Sequence, residues 1–120
     1  MPIGELESAE FQLSLFDKMP EAQQLSFLGD TLDGLTEIEA TLSPMLAAWS
    51  SGDTEKLVSI MNEGLEDPAL YDLVFTNRNA SWAEWIDARM DKPGTVFVAV
   101  GAGNLSGKKN VRDLLETRGI

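Results

Sequence analysis

GTVFVAVGAGNLSG (Gly94–Gly107) is the stretch on which the fold turns. Residues 95–100 are the one convincing strand pattern in the chain. They are mostly β-branched or aromatic and leave no polar face, so burial on both sides is expected. The loop that follows carries Gly101, Gly103 and Gly107, and a helix is expected after Lys108 and Lys109. A strand ending in a glycine turn before a helix is where α/β proteins set ligands. A lone strand cannot satisfy its own backbone groups, so this one requires a partner. That partner is the short Pro2–Gly4 segment, a second copy of the chain, or another polypeptide.

The loop fits no standard nucleotide motif. A dinucleotide fingerprint with glycines at 101 and 103 wants a third at Ser106. A Walker loop ending at Gly107-Lys108 wants glycine at Ala102 and a hydroxyl residue at Lys109. Two readings remain: a tight strand-to-helix turn needing glycine for positive φ and close packing, or an anion cradle with Gly101, Gly103, Asn104, Gly107 and Lys108 as ligand-binding residues and Lys109 beside them.

Composition narrows the chemistry. The chain of 120 residues has no cysteine and no histidine. That removes disulfides, thiolate nucleophiles, the usual zinc sites and imidazole acid–base catalysis. Net charge is −11, and it is uneven: residues 1–67 hold fourteen acids against Lys18 and Lys56, while residues 68–120 are nearly balanced. An acidic surface excludes nucleic acid as a partner for the first part. It suits a solvated helical face or a dock for a basic protein. Carboxylate pairs such as Asp30/Asp33 and Glu37/Glu39 read as solvated faces. No segment has the length and apolarity of a membrane span. The opening MPIGELESAE lacks the apolar core of a secretory signal, so a cytoplasmic location is the default expectation.

The rest of the chain reads as helix. Ser8 is the N-cap of a helix carrying Phe11, Leu15 and Met19, ended by Pro20. Leu25, Leu28, Leu32, Leu35, Leu42, Leu46 and Trp49 follow a three-four step, with Glu39 breaking the seam and Ile38 beside it. Residues 21–51 therefore read as one long helix or two in tandem, and the spacing suits an antiparallel helical hairpin, with Gly29, Gly34 and Pro44 as weak points, Pro44 as the kink or restart and Gly52 as the close. Asp53 or Thr54 caps a short helix directing Leu57, Ile60, Met61 and Leu65 inward. Asp67-Pro68 starts another, to about Met90, whose apolar positions are Leu70, Leu73, Val74, Trp82, Trp85, Ile86 and Met90. Arg78 shares their inward face, so it either snorkels to the edge or is held by a carboxylate. Asn110 to Arg118 is a last helix, stopped by Gly119. The expected fold is mostly α with a minimal β component: antiparallel helices, a buried strand, a Gly-rich turn and a C-terminal helix in one domain over residues 1–120.

Three stretches carry a resemblance: RNASWAEWI (Arg78–Ile86), GTVFVAVGAGNLSG, and LLETRGI at the end. With GELESAEFQLSLFDKMPEAQQLSFL nearer the start, the chain resembles the C-terminal half of the TraB/GumN family, which includes the pheromone-shutdown and Tiki-like metal-dependent peptidases. The resemblance implies an α/β fold of two similar halves. It also implies a divalent metal, a Gly-x-x-His motif in each half and a catalytic arginine. Arg78, Asn79 and Trp82 match the Arg-Asn-x-x-Trp segment. Gly101, Gly103, Leu105 and Gly107 match Gly-Ala-Gly-His-Leu-x-Gly, with Asn104 at the histidine position. Asn77 stands where the family is often acidic, and the first Gly-x-x-His motif has no counterpart. An amide neither ligates a borderline metal nor accepts a proton as imidazole does. The expectation is therefore a catalytically compromised relative with no metal or cofactor of its own. Arg78 and Asn104 are its family-equivalent catalytic positions, and Trp82 and Trp85 are structural. The alternative is a small acidic interaction protein, inhibitor- or antitoxin-like, that docks on a protein partner or on itself through its helices and its unpaired strand.

Overall fold

The computed structural model describes all residues other than Met1, Gly64 and Glu66. It is mostly helical, with α1 Ala9–Asp17, α2 Glu21–Gly34, α3 Ile38–Ser51, α4 Thr54–Met61, α5 Pro68–Tyr71, α6 Asn77–Met90, α7 Ala102–Leu105 and α8 Val111–Glu116. Local sequence sets most boundaries. Ser8 Oγ accepts from the Phe11 N–H, Asp53 from Lys56, Asp67 from Ala69 and Asn110 from Asp113, each satisfying an amide that an α-helix start leaves free. At the far ends, Asp53 N–H reaches Ala48 O across Gly52, and Ile120 N–H reaches Leu115 O across Gly119. These six-to-one bonds are Schellman closures, and Gly52 adopts the left-handed φ of 72° that the motif requires.

Residues 21–51 form two helices in tandem, as one reading of the pattern has it, but the two do not fold into a hairpin. α2 and α3 are joined by a 3-10 turn at Leu35–Glu37 and do not lie side by side. The interruption is at Gly34–Glu37, not at Pro44, which sits inside α3. The chain reverses one element later: Gly52 turns α3 back onto α4, and α3 and α4 form the antiparallel pair. The molecule is 50 Å in its longest dimension. Its radius of gyration is 16.3 Å, against about 13.6 Å for a compact domain of this length.

From Pro68 to Met90 the chain runs as one helix, as its pattern predicts, but with a π-turn at Asp72–Thr76, where the Asn77 N–H bonds Asp72 O. The core is small. Leu15 and Met19 of α1, Ala48 of α3, Val58 and Ile60 of α4, Leu70 of α5, Trp82 and Ala83 of α6 and Val111 of α8 are buried. α8 rests against α6, and α7 against α4. Met61 and Trp85, expected inside, are each 45% exposed. Val58 takes the inward place expected of Met61.

The buried strand is not formed. Thr95–Val100 is non-helical with no ladder partner among the described residues, and Pro2–Gly4 lies outside any sheet. Phe97 is 82% exposed and Val96 41%. The physical reason is the one the sequence raised: with no second strand among the described residues, the backbone groups of the first have no ladder to join, and only Val98 and Val100 are half-buried.

Candidate functional site

The elements converge where α6 meets the Gly101–Asn110 loop. Asn79 is 1% exposed and Asn104 7%. Asn79 donates through Nδ2 to Lys109 O at 3.1 Å, which leaves its Oδ1 free to accept. Asn104 fills that need, donating from Nδ2 to Asn79 Oδ1 at 2.8 Å. The carbonyl of Lys109 thus fixes the orientation of both amides in turn. Lys109 itself has a φ of 53°, an uncommon conformation for a residue with a side chain. The two-amide relay therefore clamps a strained turn. Asn110 continues it by donating from Nδ2 to Gly107 O while capping α8.

The glycines of the loop serve close approach more than turning. A Cβ on Gly103 lands 3.0 Å from Phe75 Cε1, and one on Gly101 lands 3.2 Å from Asn104 Oδ1. Of the three, Gly107 alone takes a positive φ, at 83°, and it also lies against Val58. The π-turn presents Phe75 to Gly103. It also sets Tyr71 so that its hydroxyl donates to Lys108 O at 3.0 Å. Burial holds the Tyr71 hydroxyl above its ordinary value of 10.0, and the neighbouring Asp72 carboxylate adds to the effect.

Arg78 is held by a carboxylate, the second of the two expected arrangements. Glu7, just before α1, receives Nε at 2.9 Å and Nη2 at 2.7 Å. Nη1 donates to Val74 O, and the guanidinium lies 5.1 Å from the Trp82 ring centre. The side chains are only 17% and 6% exposed, so the bidentate pair is largely desolvated. All three guanidinium nitrogens of Arg78 thus donate within the fold.

The expected ligand-binding residues separate into two groups. Gly103 and Asn104 are buried against α6, with Gly101 beside them at the surface. Gly107 and Lys108 instead line a cavity of about 600 Å³, with Lys109, Glu55, Ser59, Tyr71 and Asp72. Its charges are mixed, since Lys109 Nζ lies 3.7 Å from Asp72. Of the structural pair, Trp82 is buried and Trp85 is at the surface. Sequence reasoning missed Glu7, whose signal was the unmet need of an inward Arg78. Asn79 was marked only as part of the Arg-Asn-x-x-Trp match, which gave it no role; its place as the pivot of the relay is a tertiary fact.

The Asn104 amide nitrogen points to Asn79, Arg78 is a cation, and among the described residues no three acidic, histidine or cysteine side chains gather to hold an ion. No curated protein and no solved structure matches the chain. The model of the TraB/PrgY/gumN family matches residues 1–120, and the chain belongs to that family.

Proposed function

We propose that this member of the TraB/PrgY/gumN family keeps a peptidase-like scaffold without metal-dependent peptidase chemistry of its own. The observation that carries this reading is the use made of Asn104. At the position matching the family histidine, its amide is buried and donates to Asn79, and Asn79 in turn clamps the Lys109 turn. A group spent on such a relay is a strut, and replacing a metal-binding imidazole by it trades chemistry for rigidity. Arg78, matching the family arginine, is likewise occupied by Glu7. The test is hydrolysis of an unstructured peptide library by the purified chain, with and without manganese, cobalt or zinc. No cleavage above background is expected. Cleavage lost on chelation and restored by metal sinks the proposal.

A second reading is favoured by the unpaired Thr95–Val100 segment: an interaction module that completes itself by accepting a strand. Main-chain bonding to an added strand satisfies the free amides and covers Phe97. Under this reading the chain engages a protein partner or a second copy. Hydrogen exchange across 95–100 is then fast in the isolated monomer and slow in the assembly. Fast exchange at these amides in every assembled form rules the reading out.

A further inference from the structure

A second cavity, of about 510 Å³, opens between α1, α2 and the start of α6. Its floor is apolar: Leu15 and Met19 are buried, and Leu65 and Val74 are half-buried beside them. Its rim is of another kind. Phe16 and Phe27 line it at 49% and 36% exposure, with their ring centres 6.0 Å apart. Asp30 and Glu63 also line it, and both are exposed.

Charge decides what such a cavity takes. Arg78 is the only cation on its wall among the described residues, and Glu7 already holds it in a bidentate pair. Lys18, the residue after α1, lies over the Phe11 ring, outside the lining. Asp30 and Glu63 enter no ion pair among the described residues. Two carboxylates at the mouth are thus left without a cation, above an apolar floor. A fatty or aromatic acid is repelled by them. A neutral ligand fills the floor but strips water from the carboxylates without return. A cation is favoured twice, by the carboxylates and by the negative faces of the two rings. The volume is that of a small-molecule pocket, not of a flat face for a folded partner.

We propose that this cavity binds an organic ammonium ion. Its apolar body fills the space over Leu15, Met19 and Val74, and its cation rests at the rim among Asp30, Glu63, Phe16 and Phe27. Neither Asn79 nor Asn104 lines the cavity, so the site does not depend on the peptidase reading.

The test uses three probes that share an anthracene ring and differ in charge: anthracenylmethylammonium, anthracenemethanol and anthracenecarboxylate. Binding to the full chain is read from the polarisation of anthracene fluorescence. The ammonium is expected to bind at least about tenfold more tightly than the alcohol and the carboxylate most weakly, with the preference shrinking as salt rises. Asp30→Asn combined with Glu63→Gln should bring ammonium and alcohol to within about threefold of each other, by weakening the ammonium alone. Glu84→Gln combined with Glu116→Gln removes two exposed carboxylates outside the cavity and should change neither affinity. Thr31→Trp, at an exposed lining position of α2, should block all three probes with helicity retained. Absent binding of the ammonium, or equal affinity for ammonium and alcohol, overturns the proposal. So does a loss at Glu84 and Glu116 as large as that at Asp30 and Glu63, since the acidic surface at large then attracts the probe. Unchanged binding to Thr31→Trp overturns it as well, because the probe then sits elsewhere.

Discussion

Replacing Asn104 by alanine or by aspartate separates a strut from a spare polar group. In the wild-type chain the Asn104 amide donates at 2.8 Å to Asn79 Oδ1, and Asn79 cannot turn without releasing Lys109 O. Asn104→Ala leaves Asn79 Oδ1 buried with no donor, which costs about 1–3 kcal/mol for the unsatisfied acceptor. Asn104→Asp is nearly isosteric but sets a carboxylate oxygen against that same acceptor in a site 7% exposed. A buried charge without a partner raises the loss to about 3–5 kcal/mol. Against a total stability of about 5–15 kcal/mol these are large fractions. Urea unfolding followed by circular dichroism gives both values, and an Asn79→Ala cycle isolates the pair, with a coupling of about 1 kcal/mol expected. If aspartate costs no more than alanine, the Asn104 amide is not the donor and the reasoning fails. If both cost less than about 0.5 kcal/mol, no relay exists to break.

Three further outcomes are expected. Glu7→Leu or Arg78→Met alone should cost about 3 kcal/mol in chemical unfolding, because each strands a largely buried charge; Glu7→Leu combined with Arg78→Met should recover part of that loss, and a strictly additive double variant contradicts the pairing. Gly103→Ala should lose about 1–3 kcal/mol through the 3.0 Å contact of the new Cβ with Phe75, and Phe75→Leu should return some of it. Tyr71 is the only tyrosine, so phenolate absorbance reports it alone. Its midpoint should lie above 10.0 in the folded chain. A raised folded value means its stabilising share is present below the unfolded pKa and lost as pH climbs through the folded one, so wild type should weaken more than Tyr71→Phe in alkaline solution.

The helical skeleton was legible because its punctuation is local. Ser8, Asp53, Asp67 and Asn110 cap, Gly52 and Gly119 close, and each needs only neighbours within a few residues. The Gly94–Gly107 stretch was legible only in part. Its apolar run prefers extended backbone, and the segment is non-helical, but a strand depends on a second one that residues 95–100 cannot encode. The α2–α3 stretch came out as helices in tandem, as its pattern allowed, but not as a hairpin, for a similar reason. A three-four stripe announces that a face will be covered without stating by what, and the hairpin expectation covered it with the chain itself. At the site, Arg78 advertised its need for a carboxylate, yet Glu7 lies 71 residues away and carries no mark of its own. Asn104 was visible as a substitution in a motif, whereas its occupation by Asn79 is a tertiary fact.

The π-turn at Asp72–Thr76 works as a phase shifter. A one-residue change in an α-helix rotates everything downstream by about 100°, so the turn sets the azimuth of α6 relative to α5. Upstream, Leu70 and Tyr71 are indexed to the core and to the Lys108 carbonyl; downstream, Arg78, Asn79 and Trp82 are indexed to Glu7, Asn104 and α8. No single straight helix serves both sets of neighbours. A chain that lost one residue here would keep its composition, its helicity and nearly every side chain, and would still point its arginine and its asparagine at the wrong walls. Insertions and deletions between 72 and 76 are therefore far less tolerable than substitutions there, which is unusual for a surface-accessible stretch of helix.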